Sequence, residues 1–190
     1  MIRGLLLAGG AATRFGGAKL LAAATDHAPP IGVRAAKSLL AGAGNALAVV
    51  RPGDAALAQA LREAGCEILE TPDSLRGLGA SLSSGVKASR DAQGWLVALA
   101  DMPRIHAATH RAVAAAIARG AKLAAAADST GRRGHPVGFG ADLYADLAAL
   151  DGDEGARAVV ERHRAWLEVV RVDDPGIHFD IDTRGDLSAG

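Results

Sequence analysis

Aromatic side chains are scarce: two Trp, one Tyr and three Phe make up 3 % of 190 residues. The 49 % of residues that are hydrophobic must therefore build a core from Ala, Val, Leu and Ile, as is usual for helices packed on a parallel sheet. Cysteine occurs once, at Cys66. That excludes an intramolecular disulfide and a thiolate zinc site, and it points to a reducing compartment. An excess of either charge is missing as well. Lys plus Arg and Asp plus Glu both number 21, so no net field draws in nucleic acid or an anionic membrane, and any phosphate binding has to be local. No stretch of 18 apolar residues is present, and the apolar run at the N-terminus stops at glycines before it reaches the length of an export signal. A cytoplasmic protein is expected. With no fixed-period repeat and no linker-like tract, the chain suits one domain over 1–190 that buries roughly 70 % of its unfolded surface.

The stretch LLLAGGAATRFGGAKLL, Leu5 to Leu21, organises the rest. An apolar run from Ile2 to Ala8 reads as a buried strand and empties into a loop carrying Gly9, Gly10, Gly16 and Gly17. Glycines let backbone N–H groups approach an anion without a Cβ in the way. Arg14 and Lys19 add two cations, one suited to bidentate oxygen contacts and the other a point charge. A triphosphate suits such a loop best. A Walker loop is excluded because Ala18 separates Gly17 from Lys19 and Leu20 follows where Ser or Thr is needed. The dinucleotide fingerprint is excluded by glycine spacing. On glycine count alone a turn without ligand remains the alternative, and the paired cations weigh against it.

Downstream, strand and helix alternate. Thr25 to Ile31 is turn chemistry, with Pro29 and Pro30 barring a helix until Gly32. A helix is predicted over Val33–Leu40, then a strand over Ala46–Val50, then an Asp54-capped helix stopped by Gly65. Cys66–Leu69 reads as a strand, and the second glycine segment, Arg76 to Val86, is predicted to pass from loop into helix near Ala80 or Ser81. A helix N-terminus there could bind an anion or a polar base edge. Trp95–Ala100 is the most continuous apolar strand of the middle region, followed by a helix over Ala107–Arg119 and a strand over Lys122–Ala127. The last third is less regular: a basic turn and short strand in Gly131–Gly140, an Asp153-capped helix in Gly152–His163, and a half-buried strand in Trp166–Val172. Phe179–Asp182 then leads to a last short helix capped by Thr183 and ending at Gly190. Trp95 and Trp166 read as core. The pattern is α/β, a mostly parallel sheet between helices.

Ligands of such sheets bind beyond the carboxyl ends of the strands. Asp101 sits at such an end, after WLVALA and before a strand-stopping Pro103. A buried unpaired carboxylate is costly, so Asp101 reads either as a turn or cap residue or as a hard oxygen ligand for magnesium beside substrate phosphates. Asp180 and Asp182, in FDIDT, are further candidates, because they lie at the end of an expected strand and on one face of an alternating segment. His135 is equally consistent with a strand-edge residue satisfied by backbone and with a contact to an acceptor. Arg132 and Arg133 read as a solvated loop in preference to a phosphate clamp, and Arg157 either reaches an acceptor phosphate or pairs with Glu161 or Asp153.

Taken together, LLLAGGAATRFGGAKLL, GLGASLSSGV, LADMP, RGHPVGF, GDEGAR and DIDTRGDL, in this order over nearly the whole chain, resemble the nucleotidyltransferases that mature molybdenum cofactor. These are the molybdopterin cytidylyltransferases and guanylyltransferases, within the wider group of sugar-nucleotide pyrophosphorylases. The resemblance implies a single-domain, Rossmann-like three-layer sandwich of nucleotidyltransferase type. It implies that Leu7, Ala8, Gly9, Gly10, Arg14 and Lys19 hold a nucleoside triphosphate, that Asp101 binds Mg2+, and that Asp182 is an acidic position close by. It also implies that Gly77, Gly79 and Ser81 lie near base and ribose. Catalysis would rest on Arg14, Lys19 and Asp101. CTP is favoured by RGHPV and GDEGAR, whereas LAGG is closer to the guanylyl branch, and TDHAPP departs from the family's short turn after the lysine. A molybdopterin-type acceptor and a molybdoenzyme receiving the product are the implied partners. The competing readings are a GTP-dependent or sugar-nucleotide enzyme with the same chemistry, and a non-catalytic cofactor carrier that binds cofactor without releasing pyrophosphate.

Overall fold

The structure, a computed structural model, describes residues 1–10, 18–25 and 27–187. Arg14, Gly16, Gly17 and the expected helix end at Gly190 lie outside the described residues. Strands β1 (Ile2–Leu7) and β4 (Gly94–Leu99) pair in parallel, with Leu5 opposite Val97 and Leu7 opposite Leu99. Both are apolar along nearly their whole length because both of their faces are covered. Strands β2 (Leu47–Val50) and β3 (Glu67–Glu70) extend the sheet beyond β1, while β6 (Arg133–Gly140), β5 (Leu123–Ala127) and β7 (Leu167–Arg171) extend it beyond β4. The order is β3-β2-β1-β4-β6-β5-β7, and every pairing is parallel except the two made by β6.

Side-chain alternation divides the core into two layers. Leu6, Leu96 and Ala98 face α1 (Ile31–Ala43), α2 (Ala55–Glu63) and α4 (Ala107–Ala118). Leu5, Leu7, Trp95 and Val97 face α3 (Leu78–Ala88), α5 (Tyr144–Ala148) and α6 (Arg157–Arg162). This is the expected three-layer single domain. Leu5, Leu6, Leu96 and Trp95 are each fully buried, and at about 1.5–3 kcal/mol per large apolar side chain the centre of the sheet carries more stability than its half-buried edges. After β1 the chain steps out to β2 and β3, then returns past β1 to β4. A crevice therefore opens at the carboxyl ends of β1 and β4, where the order reverses.

Several boundaries differ from the sequence reading. Helix α1 starts at Ile31, directly after Pro30, and runs through Gly42, because proline just before the first turn gives up no N–H that the helix needs. Helix α3 starts at Leu78, not Ala80, because Gly77 adopts φ +126° and the Gly79 amide finds the Gly152 carbonyl at 2.8 Å. Asp153 caps nothing: α6 starts only at Arg157, and residues 152–156 wrap over the start of α3. Phe179–Asp182 is not a strand. It belongs to a strap, residues 172–187, that folds back over the segment after β4 and against β6, with 3₁₀ turns at Pro175–His178 and Arg184–Leu187. Thr183 does not cap; its amide and hydroxyl both donate to the Asp186 carboxylate. Trp166 is exposed, its ring stacked on His163 at 4.6 Å and lying under Lys122.

Candidate active site

The crevice is a cavity of about 380 Å³. Its floor is Leu7, Ala8 and Leu99, the ends of β1 and β4, and its walls include Gly10, Lys19, Leu78, Asp101 and Asp182. Gly9 turns the chain out of β1 at a point where only glycine fits, since an added Cβ would come within 2.7 Å of the Ser74 side chain. Ser74 is itself immobilised by hydroxyl bonds to the carbonyls of Val50 and Thr71. The Ala8 amide is spent on the Val49 carbonyl, so the start of the loop is tied to β2.

Lys19 is the centre of charge. It opens a short 3₁₀ turn, Lys19–Leu21, and its side chain is only 9 % exposed. The ammonium donates to Asp101 Oδ2 at 3.0 Å and to Asp182 Oδ1 at 3.3 Å. Asp101 is there because β4 ends at Leu99 and the chain turns at once. Asp182 is there because the strap is fastened at several points. The Asp174 carboxylate, almost fully buried, accepts from the His106 and Gly176 amides and the Thr109 hydroxyl. His178 pairs with Asp128 at 2.9 Å, Arg104 lies 3.8 Å over the Phe179 ring, and the Ile181 amide donates to the Asp101 carbonyl at 2.9 Å.

The sequence-predicted residues divide accordingly. Leu7, Ala8, Gly10, Lys19, Asp101 and Asp182 share one cleft. Gly77, Gly79 and Ser81 stand behind its wall, where Leu78 is the residue that faces inward. Gly77 and Gly79 press against the Asp151–Asp153 loop, and the Ser81 hydroxyl donates to the Gly77 carbonyl. Asp180 is exposed and takes no part in the Lys19 pairs.

His135 lines a second cavity of about 500 Å³ that shares Leu7, Leu78 and Leu99 with the first. Its Nδ1 has no partner among the described residues. Burial pushes its imidazole down, which keeps it neutral at physiological pH, against the opposing pull of the Asp101 carboxylate. Arg133 and Glu161 pair at 2.9 Å on the rim of this cavity. Glu161 is thus committed to Arg133, and Arg157 stands on the same rim without an ion-pair partner among the described residues.

Arg51 and Asp54 read in the sequence as a turn residue and a helix cap, with no site role. Both line the first cavity, brought there by the turn out of β2, and Arg51 Nε donates to the Gly9 carbonyl. Asp54 precedes α2 but makes no capping bond with its side chain. A helix-capping position that leaves its carboxylate unspent was the available signal, and it is visible only in three dimensions.

The Lys19 ammonium, beside a glycine turn at a strand-order reversal, can meet a phosphate oxygen. The two carboxylates it joins carry net negative charge that a polyphosphate would tolerate only with a bound cation. Hard oxygen donors are also what a divalent cation such as magnesium takes. The Lys19 ammonium already stands as a cation between them, so Asp101 and Asp182 fit such an ion in charge and donor type. No cluster of three or more metal-ligating side chains occurs among the described residues. Substrate oxygens would have to complete the shell.

The MobA-like NTP transferase domain matches residues 4–167. The strap with Asp182 lies beyond that match. No curated protein matches the chain. Among solved structures, Rv0371c from Mycobacterium tuberculosis H37Rv is similar at 26 % identity and TM-score 0.81, over 97 % of this chain and 94 % of that one. Its homologue from Mycobacterium sp. strain JC1 is also 26 % identical, with TM-score 0.79 over 99 % and 93 %. A nucleotidyl transferase from Methanothermobacter thermautotroptrophicus, Mth528, shares the fold at 22 % identity and TM-score 0.79, over 98 % and 94 %. No helix among the described residues is long and apolar enough to cross a membrane. Because the domain match spans most of its length, the chain belongs to the family of MobA-like NTP transferases, and it is a nucleotidyltransferase.

Proposed function

We propose that the protein transfers CMP from CTP to the terminal phosphate of a molybdopterin-type acceptor, releasing pyrophosphate, with Mg2+ held by Asp101 and Asp182. The observation that carries this reading is the Lys19 ammonium between two carboxylates at the mouth of a glycine-loop cleft. The preference for CTP rests on the RGHPV and GDEGAR segments. The adjoining cavity, which shares Leu7, Leu78 and Leu99 with the first, is a fitting place for the acceptor, with Arg157 on its rim as an anion contact and His135 in its wall. Rv0371c has a structure in complex with manganese, an ion with the same preference for oxygen ligands.

The chemistry asks little of a proton carrier. A terminal phosphate is already ionised, so it attacks the α-phosphorus in line and pyrophosphate leaves from the opposite side without a general base. Lys19 neutralises charge that builds on the α-phosphate, and Arg14 together with loop amides receives the leaving pyrophosphate. Asp101 and Asp182 orient the lysine and would hold the divalent ion, which when bound offsets charge on the phosphate oxygens. The Leu7, Leu78 and Leu99 side chains keep bulk water from the shared wall of the two cavities.

The test is a pyrophosphate-release assay with molybdopterin and each of CTP, GTP, ATP and UTP, with and without Mg2+. Release with CTP, dependent on acceptor and on Mg2+, is expected. Release with GTP alone would transfer the enzyme to guanylyl chemistry, and acceptor binding with no release from any nucleotide would make it a carrier.

A further inference from the structure

Arg51 and Asp54 face the same cleft with their polar groups unspent. The turn Arg51-Pro52-Gly53-Asp54 is closed by the Asp54 amide on the Arg51 carbonyl and by Gly53 at φ +80°, and both side chains line the cleft at the end of β2. Arg51 spends only Nε, on the Gly9 carbonyl, and its Nη groups have no partner among the described residues. The Asp54 carboxylate has none either, and the two do not pair with each other. Opposite charges on one cavity wall, both half-buried and both left over, are poised for something that offers a donor and an acceptor together.

Position says which part of a nucleotide that is. β2 is two strands away from β4, with β1 between them, a separation of about 10 Å. When the phosphates lie at Lys19 and Asp101, the ribose spans β1 and the base arrives at Arg51 and Asp54. We propose that Arg51 and Asp54 are the base-reading pair: the guanidinium donates to a ring carbonyl and the carboxylate accepts from an exocyclic amino group. Cytosine and guanine each carry both groups on one edge. Adenine has the amino group without the carbonyl, and uracil has carbonyls without the amino group. The pair therefore admits CTP and GTP and excludes ATP and UTP. This rests on the nucleotidyltransferase reading of the cleft and deepens it.

The experiment is isothermal titration of CTP, GTP, ATP and UTP into the wild-type chain, Asp54→Asn and Arg51→Gln, with Mg2+ present. Wild type should bind CTP or GTP at least roughly 10-fold more tightly than ATP and UTP, the factor expected of one base-edge contact pair; which of the two is bound identifies the donor. Asp54→Asn, which leaves the Gly9 contact untouched, should lose the discrimination against UTP, and Arg51→Gln the discrimination against ATP. Wild-type binding of no nucleotide would sink the reading of the cleft itself. Wild-type selectivity that survives in Asp54→Asn, or variants that weaken all four nucleotides equally, would overturn the base-reading assignment while leaving that reading intact.

Discussion

Replacing Lys19 with methionine keeps the buried apolar stem and removes a charge that pairs with both Asp101 and Asp182. The bond to Asp101 is a charge-assisted hydrogen bond in a partly buried setting, with the carboxylate 30 % exposed, and such bonds contribute about 1.5–3 kcal/mol. Asp182 is 49 % exposed, so solvent screens its share to below about 1 kcal/mol. A loss of about 2 kcal/mol is expected, which lowers the thermal midpoint by about 4–8 °C in a domain of this size. The two carboxylates then repel more strongly, and a divalent cation between them offsets that repulsion. Lys19→Met should therefore be less stable than wild type in EDTA and should recover more of its midpoint than wild type does as Mg2+ is added. Turnover should nevertheless fall at least ~100-fold, as for loss of one oxyanion donor. Thermal unfolding across a magnesium titration, followed by a turnover assay, reads both effects. A midpoint equal to wild type in EDTA would refute the clamp. A lowered midpoint that ignores Mg2+ would show that the two carboxylates do not converge on one cation position.

His110 is buried in α4 and desolvation pushes its imidazole down to about 4 from an ordinary 6.5. The unfolded chain thus binds the proton and the folded chain does not, so stability is complete above pH 6.5 and falls toward pH 4, by about 3 kcal/mol at about 1.4 kcal/mol per pH unit; His110→Gln should flatten that slope in urea unfolding measured at several pH values, and an unchanged slope would count against it. Asp174→Ala strands three donors on the strap and on α4, so a loss of about 3 kcal/mol or more is expected, together with weaker nucleotide binding because Asp182 is no longer delivered. Urea unfolding and titration check the two halves. Gly77→Ala forces an L-residue into φ +126° and drives its Cβ to within 2.6 Å of the Gly152 carbonyl. A cost of at least about 1–2 kcal/mol is expected from the backbone alone, and retention of the wild-type midpoint would show that the 152–156 loop moves freely.

Much of the fold was legible in local pattern. Continuous apolar runs such as WLVALA marked strands covered on both faces, and Asp101-Met102-Pro103 marked where one had to stop. Lys19 and Asp101 stand out as candidates in the sequence because a lysine after a glycine cluster and a carboxylate after a buried strand are each hard to explain structurally, and the fold brings the two together at 3.0 Å. The errors have local causes too. Trp166 reads as core because hydropathy cannot distinguish a buried ring from one stacked on His163 and under Lys122. FDID looked like a strand because alternation does not reveal whether a sheet edge is available to receive it. Asp153 looked like a cap because the pattern of GDEGAR does not reveal that Gly152 and Asp153 are occupied with the start of α3.

By itself the sequence determined the alternating α/β class, the glycine loop, and the residue types that could neutralise phosphate, because each depends on spacing over a few residues and on the chemistry of single side chains. Tertiary structure alone decided that β6 runs antiparallel, that a C-terminal strap brings Asp182 across 163 positions to Lys19, and that Arg51 and Asp54 share a wall with both. Those outcomes depend on which strand edges pair and on where a returning segment can bury its apolar residues. Such choices are made by the whole chain at once, and no local window of sequence contains them.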